Sequence, residues 1–140
     1  MAGASWASSD HARRTMRANR RRDTKPELAL RSVLHARGLR FRVDFSPVEG
    51  LRTRADIVLS RAEIAVFVDG CFWHGCPEHF VLPKTNVDYW TAKIERNKDR
   101  DEASDAALAA TGWESIRVWE HEDPLFAADR IESAWKLKTQ

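Results

Sequence analysis

The chain has 140 residues, with 23 Lys and Arg against 21 Asp and Glu, for a formal net charge of +2. That length suits one domain with one core, and an apolar fraction of 43% is ordinary for a globular protein. No apolar run approaches the roughly 20 residues of a membrane helix, the N-terminus carries no apolar signal-like stretch, and two cysteines favour a metal or reactive role over a disulfide framework.

Residues 1–12 read as a loose, small and polar tail, which leaves 13–140 as one domain. The stretch RRTMRANRRRDTK then gathers Arg13, Arg14, Arg17, Arg20, Arg21, Arg22 and Lys25 against a single acid, Asp23. Such an arm, about 13–24, is suited to phosphate; the same composition also describes a solvated tail. Thr24 as N-cap, Pro26 and Glu27 open a helix through ELALRSVLHAR, with Leu28, Leu30, Val33 and Leu34 inward and Gly38 ending it. LRFRVDF from Leu39 alternates as a half-buried strand. ADIVLS from Ala55 and EIAVFVDG from Glu63 are two further strands, the second apolar enough to be central. Residues 70–86 form a loop rich in Cys, His, Pro and Gly. A charged helix follows from Asn86 to about Ala110, with Tyr89, Trp90, Ile94 and Leu108 as buried positions, and Gly112 breaks it. WESIRVWE is a last strand, and PLFAADRIESAWKL a last helix opened by Asp123 and Pro124. This order predicts an α/β fold, a mixed central sheet flanked by helices.

In such sheets chemistry collects at strand ends. Asp56 enters one strand and Asp69 closes the next. Two carboxylates so placed suit Mg²⁺, which takes one or two carboxylates and completes its shell with water and phosphate oxygens. Ordinary turn aspartates have the same placement. His74, five residues past Asp69, is within reach as a general base, or is simply a loop histidine. A second constellation is C-x₄-C-x₂-H, formed by Cys71, Cys76 and His79. A closed zinc site needs a fourth ligand; His121, after the last strand, suits it better than His35 or His11. Two buried thiols would leave the same pattern. Between the cysteines stand Phe72 and Trp73. On a loop held rigid by zinc they could wedge between base steps, and as core residues they need no such role. Met16, alone among arginines, has little core to join.

Together, TMRANRRRDTKPE, ADIVL, VFVDGCFWHGC, NVDYWTAKIERNKDRD and GWESIRVWEHE closely resemble the very short patch repair DNA mismatch endonucleases, from about Arg13 to the last helix. The resemblance implies a restriction-endonuclease-like core and Mg²⁺-dependent, strand-specific nicking 5′ of the thymine in T·G mismatches left by deaminated 5-methylcytosine. It implies that Asp56 and the Val68 carbonyl hold Mg²⁺, that His74 activates water, and that Glu27 belongs to the same site. Phe72 and Trp73 match the aromatic wedge, and Met16 the residue intercalating from the arm. Arg17 lies in that arm, and Arg22 and Asn97 sit at motif positions for DNA contact. Cys71 matches a structural Zn²⁺ ligand, and His121 falls where the family often has cysteine.

Three departures accompany the match. Asp69 replaces a histidine of the family pattern, and could ligate metal or orient His74. The zinc loop is shortened to HGCPEH. Gly70 stands where other restriction-endonuclease sites have lysine. The expected partner is duplex DNA carrying T·G, with a functional link to a cytosine-5 DNA methyltransferase. The expected state is a monomer, away from membranes, in a bacterial-type cytoplasm. The alternative is a restriction-like or defence-associated nuclease acting on matched DNA.

Overall fold

The computed structural model describes residues 23–70 and 82–140. Among them, α1 (Lys25–Ala36) leads into β1 (Arg42–Phe45), β2 (Ala55–Leu59) and β3 (Ile64–Asp69); α2 (Val87–Ala110), β4 (Glu114–Trp119) and α3 (Pro124–Lys138) follow. The sheet order is β1-β2-β3-β4. The first three strands form an antiparallel meander, and β4 pairs with β3 in parallel, Val66 opposite Ile116 and Asp69 opposite Trp119. A parallel neighbour requires a crossover, and α2 is that crossover.

The helix ends form where the sequence expects them. Thr24 accepts the Glu27 N–H at 3.4 Å, and the Glu27 carboxylate reaches back to the Asp23 N–H at 2.8 Å. This is a capping box displaced by one residue. Asp123 caps α3 through the Leu125 N–H at 2.8 Å. Gly38, at φ 87°, takes the left-handed turn that stops α1. The strand predicted from Leu39 starts only at Arg42, although Leu39 itself is buried.

Each sheet face has its own apolar cluster. Leu30 and Leu34 of α1, and Ala127, Ala128 and Ile131 of α3, close over Ile57, Leu59, Ile64, Val66, Ile116 and Val118. On the other face Leu108 of α2 meets Val58, Ala65 and Phe67. Burial of such side chains, about 1.5–3 kcal/mol each, is the main favourable term of folding.

Two inward positions differ from the sequence reading. Leu28 is 48% exposed, and Glu27 lies buried in its stead. Three residues back from Leu30 on the helical stripe is Glu27, not Leu28. Tyr89 is 55% exposed, its ring edge-on to Trp90 at 5.0 Å. Of the apolar positions expected inward on α2, Ile94 and Leu108 alone are buried, so this helix has no buried apolar residue between them.

Candidate active site

The end of the β2–β3 ladder is where the carboxylates collect. Strand pairing runs as far as Ile57 opposite Val66. Beyond it, the Val68 N–H donates to Asp56 Oδ2 at 2.7 Å, so a side chain takes a place a backbone carbonyl would fill. On the other side of β2, pairing is recorded at Val43–Ile57 and Phe45–Ala55 but not at the step between them. That step is Asp44, at φ 46° in the left-handed region, a costly conformation for any residue with a Cβ. Arg54 holds Asp44 there, donating from Nη2 to its carbonyl at 2.6 Å and from Nε to its Oδ1 at 3.3 Å. Ala55 then joins the α2-side cluster, whereas Ile57 joins the other. The two-residue alternation of β2 is thus broken at Asp56.

Glu27 and Asp69 lie near enough to Asp56 to act on its charge. Burial is the main cause that pushes the Asp56 carboxyl up to about 7; the Val68 hydrogen bond opposes it, the Glu27 and Asp69 charges add to it, and Arg31 opposes it weakly. Among the described residues Oδ1 of Asp56 receives no hydrogen bond. A carboxylate held this way is ionised most readily by a cation.

Each flanking carboxylate has an arginine. Glu27 is 3% exposed and takes Arg31 Nη2 at 3.2 Å; burial still raises its pKa above the ordinary range, against the Asp23 N–H bond and the Arg31 charge. Arg31 Nη1 also reaches Asp23 at 2.6 Å, while its buried Nε has no hydrogen-bond partner among the described residues. Asp69, 6% exposed, takes Arg117 Nη1 at 3.1 Å on Oδ1 and 3.3 Å on Oδ2. The same guanidinium binds Asp105 from Nε and Nη2 and stands 4.1 Å over the Phe67 ring.

Sequence reading missed both arginines. Arg31 was legible as the i+4 partner of Glu27. Arg117 was legible as the one charged residue in the SIRVW alternation, facing away from Ile116 and Val118. Which carboxylates it would gather was not.

Glu27, Asp56, Val68 and Asp69 are therefore brought together. Asn97 lies on α2, one turn before Asp101. His35 is in the last turn of α1. His121 is exposed, past the end of β4, where the Glu120 N–H bonds the Asp69 carbonyl at 2.9 Å; this sets it beside the outgoing end of β3. Met16, Arg17, Arg22, Cys71, Phe72, Trp73, His74, Cys76, His79 and His11 lie outside the described residues.

Among the described residues no three His, Cys, Asp or Glu side chains stand so as to hold a metal ion. Of the expected zinc ligands, His121 alone is described, so the zinc loop forms no part of the fold as described. The donor set at Asp56 does fit a hard divalent cation. It offers a desolvated carboxylate oxygen with negative neighbours, and such an ion keeps water and phosphate in its remaining positions. No helix among the described residues is long and apolar enough to cross a membrane.

Comparison with known proteins gives this geometry a family. Residues 7–79 match the family model of the DNA mismatch endonuclease Vsr. The chain is 49% identical over 112 residues to the type II nicking enzyme V.NaeI of Lentzea aerocolonigenes, covering 79% of this chain and 68% of that one. It is 43% identical over 116 residues to the type II nicking enzyme V.XorIIP of Xanthomonas oryzae pv. oryzae, covering 82% and 83%. The DNA mismatch endonuclease Vsr of Escherichia coli K12 is 37% identical over 108 residues, covering 76% and 67%. In fold, the catalytic domain of the homing endonuclease I-Bth0305I superposes with a TM-score of 0.56 at 17% identity, covering 84% of this chain and all of that domain. A nuclease fold, a carboxylate cluster at the sheet's end and these relatives agree: the chain belongs to the Vsr DNA mismatch endonuclease family and is a DNA-nicking endonuclease.

Proposed function

We propose that this chain is a divalent-metal-dependent nickase that accompanies a type II restriction–modification system, with Asp56 at the centre of its active site. The observation that carries the active-site assignment is the Asp56 carboxyl: half-buried, pushed up to about 7 by loss of solvation, and flanked by Glu27 and Asp69. The association with a type II system is supported by relatives at 49% and 43% identity that bear that description, against 37% for the E. coli repair enzyme. Such a system includes a DNA methyltransferase, here of the cytosine-5 type.

A second reading concerns the substrate. Deamination of 5-methylcytosine leaves T·G, and nicking 5′ of that thymine is favoured by membership of a mismatch-endonuclease family and by Met16, Phe72 and Trp73. Apolar side chains of this kind unstack a base step at a cost of a few kcal/mol, and the cost is lower at a mismatch. Cutting of matched DNA is the competing outcome.

Asp56 and the Val68 carbonyl would hold Mg²⁺, which would supply positive charge to the scissile phosphate and leaving oxygen. His74 takes a proton from the attacking water. In-line displacement then leaves a 5′-phosphate and a 3′-hydroxyl. The domain spans residues 13–140, and its arm (about 13–24), with Arg17 and Arg22, grips the phosphates. Asn97 contacts DNA from α2. Cys71, Cys76, His79 and His121 would hold a structural Zn²⁺, which would stiffen the segment that carries Phe72 and Trp73.

The test is nicking of labelled duplexes with T·G, T·A and C·G pairs in varied contexts, with Mg²⁺, alongside Asp56→Ala. Strand-specific cuts at T·G that vanish in the variant support the mismatch reading. Equal cutting of matched duplex supports the restriction-like one. DNA binding with no Asp56-dependent cut overturns the active-site assignment.

A further inference from the structure

Arg117 belongs to none of the roles assigned so far, yet it has the most elaborate environment of any charged residue near the site. It lies on β4 directly opposite Phe67 of β3. Nη1 spans both oxygens of Asp69, at 3.1 and 3.3 Å. Nε and Nη2 grip Asp105 Oδ1 at 3.1 and 2.9 Å. Nη2 also reaches the Asp101 carbonyl at 3.4 Å, and Nη1 the Asp101 carboxylate at 3.5 Å. The Phe67 ring closes one face at 4.1 Å. One planar cation therefore joins the last residue of β3 to two successive turns of α2. Only the fixed fork of a guanidinium can do this; an ammonium is a point charge.

The position of this network in α2 matters. The helix runs from Val87 to Ala110, but its buried residues are Ile94 and Leu108 alone. Asp101 and Asp105 occupy the stretch between, where apolar packing does not hold the helix to the sheet. Arg117 takes over that attachment. At its other end it sets the orientation of a carboxylate that neighbours Asp56 and closes β3, five residues before His74 in sequence.

We propose that Arg117 is a positioning residue of the nicking reaction: it anchors Asp69, and with it the outgoing end of β3, to α2 through Asp105 and Asp101. Asp69 is then a tethered neighbour of the metal position, with its oxygens committed to the guanidinium, rather than a ligand. This rests on the active-site assignment made above. A positional error near 1 Å at a reacting centre costs about a hundredfold in rate.

The experiment compares Arg117→Lys, Arg117→Met and Asp105→Asn with the wild-type chain. It measures kcat and KM on a nickable duplex, direct Mn²⁺ binding in the absence of DNA, and thermal unfolding. Expected for both Arg117 variants is a fall in kcat of about 10- to 100-fold, with KM for duplex and Mn²⁺ affinity within about threefold of wild type. Arg117→Lys is expected to fail to rescue despite its charge. Asp105→Asn, which loosens only the α2 anchor, is expected to lower kcat by a smaller factor while folding normally, and it remains decisive if the Arg117 variants do not fold. Wild-type kcat in Arg117→Lys or in Asp105→Asn overturns the proposal. Loss of Mn²⁺ affinity in parallel with kcat also overturns it, because Asp69 is then a ligand. Asp56→Ala is run beside them: nicking that survives this change removes the active-site assignment itself. Nicking that depends on Asp56 but ignores Arg117 removes only the positioning role.

Discussion

The two carboxylate–arginine pairs beside Asp56 are built by different means. Glu27 and Arg31 are one helical turn apart at the start of α1, and the pair exists wherever that helix does. Asp69 and Arg117 are 48 residues apart and meet only after β3, the α2 crossover and β4 are in place. Glu27 is tied to a capped helix end through Asp23 and Thr24. Asp69 is tied to the middle of a long, sparsely packed helix. Asp56 feels the charge of both, so it reports on a local element from one side and on the tertiary fold from the other.

The largest effect comes from removing the group that both sides share. Asp56→Asn is expected to lower nicking by about a thousandfold or more, the several kcal/mol that metal-assisted charge stabilisation supplies, with duplex affinity by fluorescence anisotropy nearly unchanged. Retained nicking would leave the flanking pairs with nothing to support.

The same residue sets a pH dependence with a definite sign. Loss of solvation pushes the Asp56 carboxyl up to about 7 in the folded protein, against an ordinary value of 3.8. Between those values the folded state binds more protons than the unfolded chain. The contribution of Asp56 to the stability of the metal-free protein is therefore greatest below pH 4, falls as pH rises towards 7, and levels off above. Urea titrations across this range should show the slope in the wild type and lose it in Asp56→Asn. Divalent-ion affinity, measured calorimetrically, should rise about tenfold per pH unit up to 7 and then flatten, because the ion displaces the proton.

Glu27→Ala separates the two sides. It removes the acceptor of the Asp23 N–H and one of the two carboxylates that Arg31 binds, and should cost about 1–3 kcal/mol, while Asp105→Asn leaves the α1 pair intact. Combined, the two changes should be nearly additive in urea melts, within about 0.5 kcal/mol, since they lie on opposite faces of the sheet. Strong coupling would mean that the sides communicate through Asp56. The smallest effect is expected from Thr24→Ala, about 1 kcal/mol for a lost N-cap, with any loss of nicking following Glu27 alone.

The parts of this molecule governed by short-range chemistry were legible in the sequence. Thr24, Pro26 and Glu27 marked one helix start and Asp123 and Pro124 another, and short apolar runs marked β2, β3 and β4. Asp56 and Asp69 stood out as carboxylates at the ends of such runs. Glu27 was legible as a cap but not as a buried group, because an inward stripe was sought in apolar residues alone and Leu28 was put in its place. Tyr89 was misplaced for the same reason: an aromatic near the start of a helix was assumed to be covered. Arg117 could be noticed as a lone charge within a strand. Its union with Asp69, Asp101 and Asp105 depends on strand order and on the placement of α2, which no local pattern encodes. The break of alternation at Asp56 likewise depends on Asp44 and Arg54, a backbone conformation with no signature in residue type.

The parallel pairing of β3 with β4 has a consequence for how the chain is made. Glu27, Asp56 and Asp69 all precede α2, whereas Arg117 follows it, 48 residues after Asp69. At about 5–20 residues per second, a growing chain carries these acids for roughly 2–10 s before their distant cation leaves the ribosome. During that interval the antiparallel meander has the strands it needs, but the negative charge at its end is balanced on the α1 side alone. The nascent nuclease is thus a sheet with one of its two electrostatic clasps open, and its last strand both completes the sheet and closes the clasp.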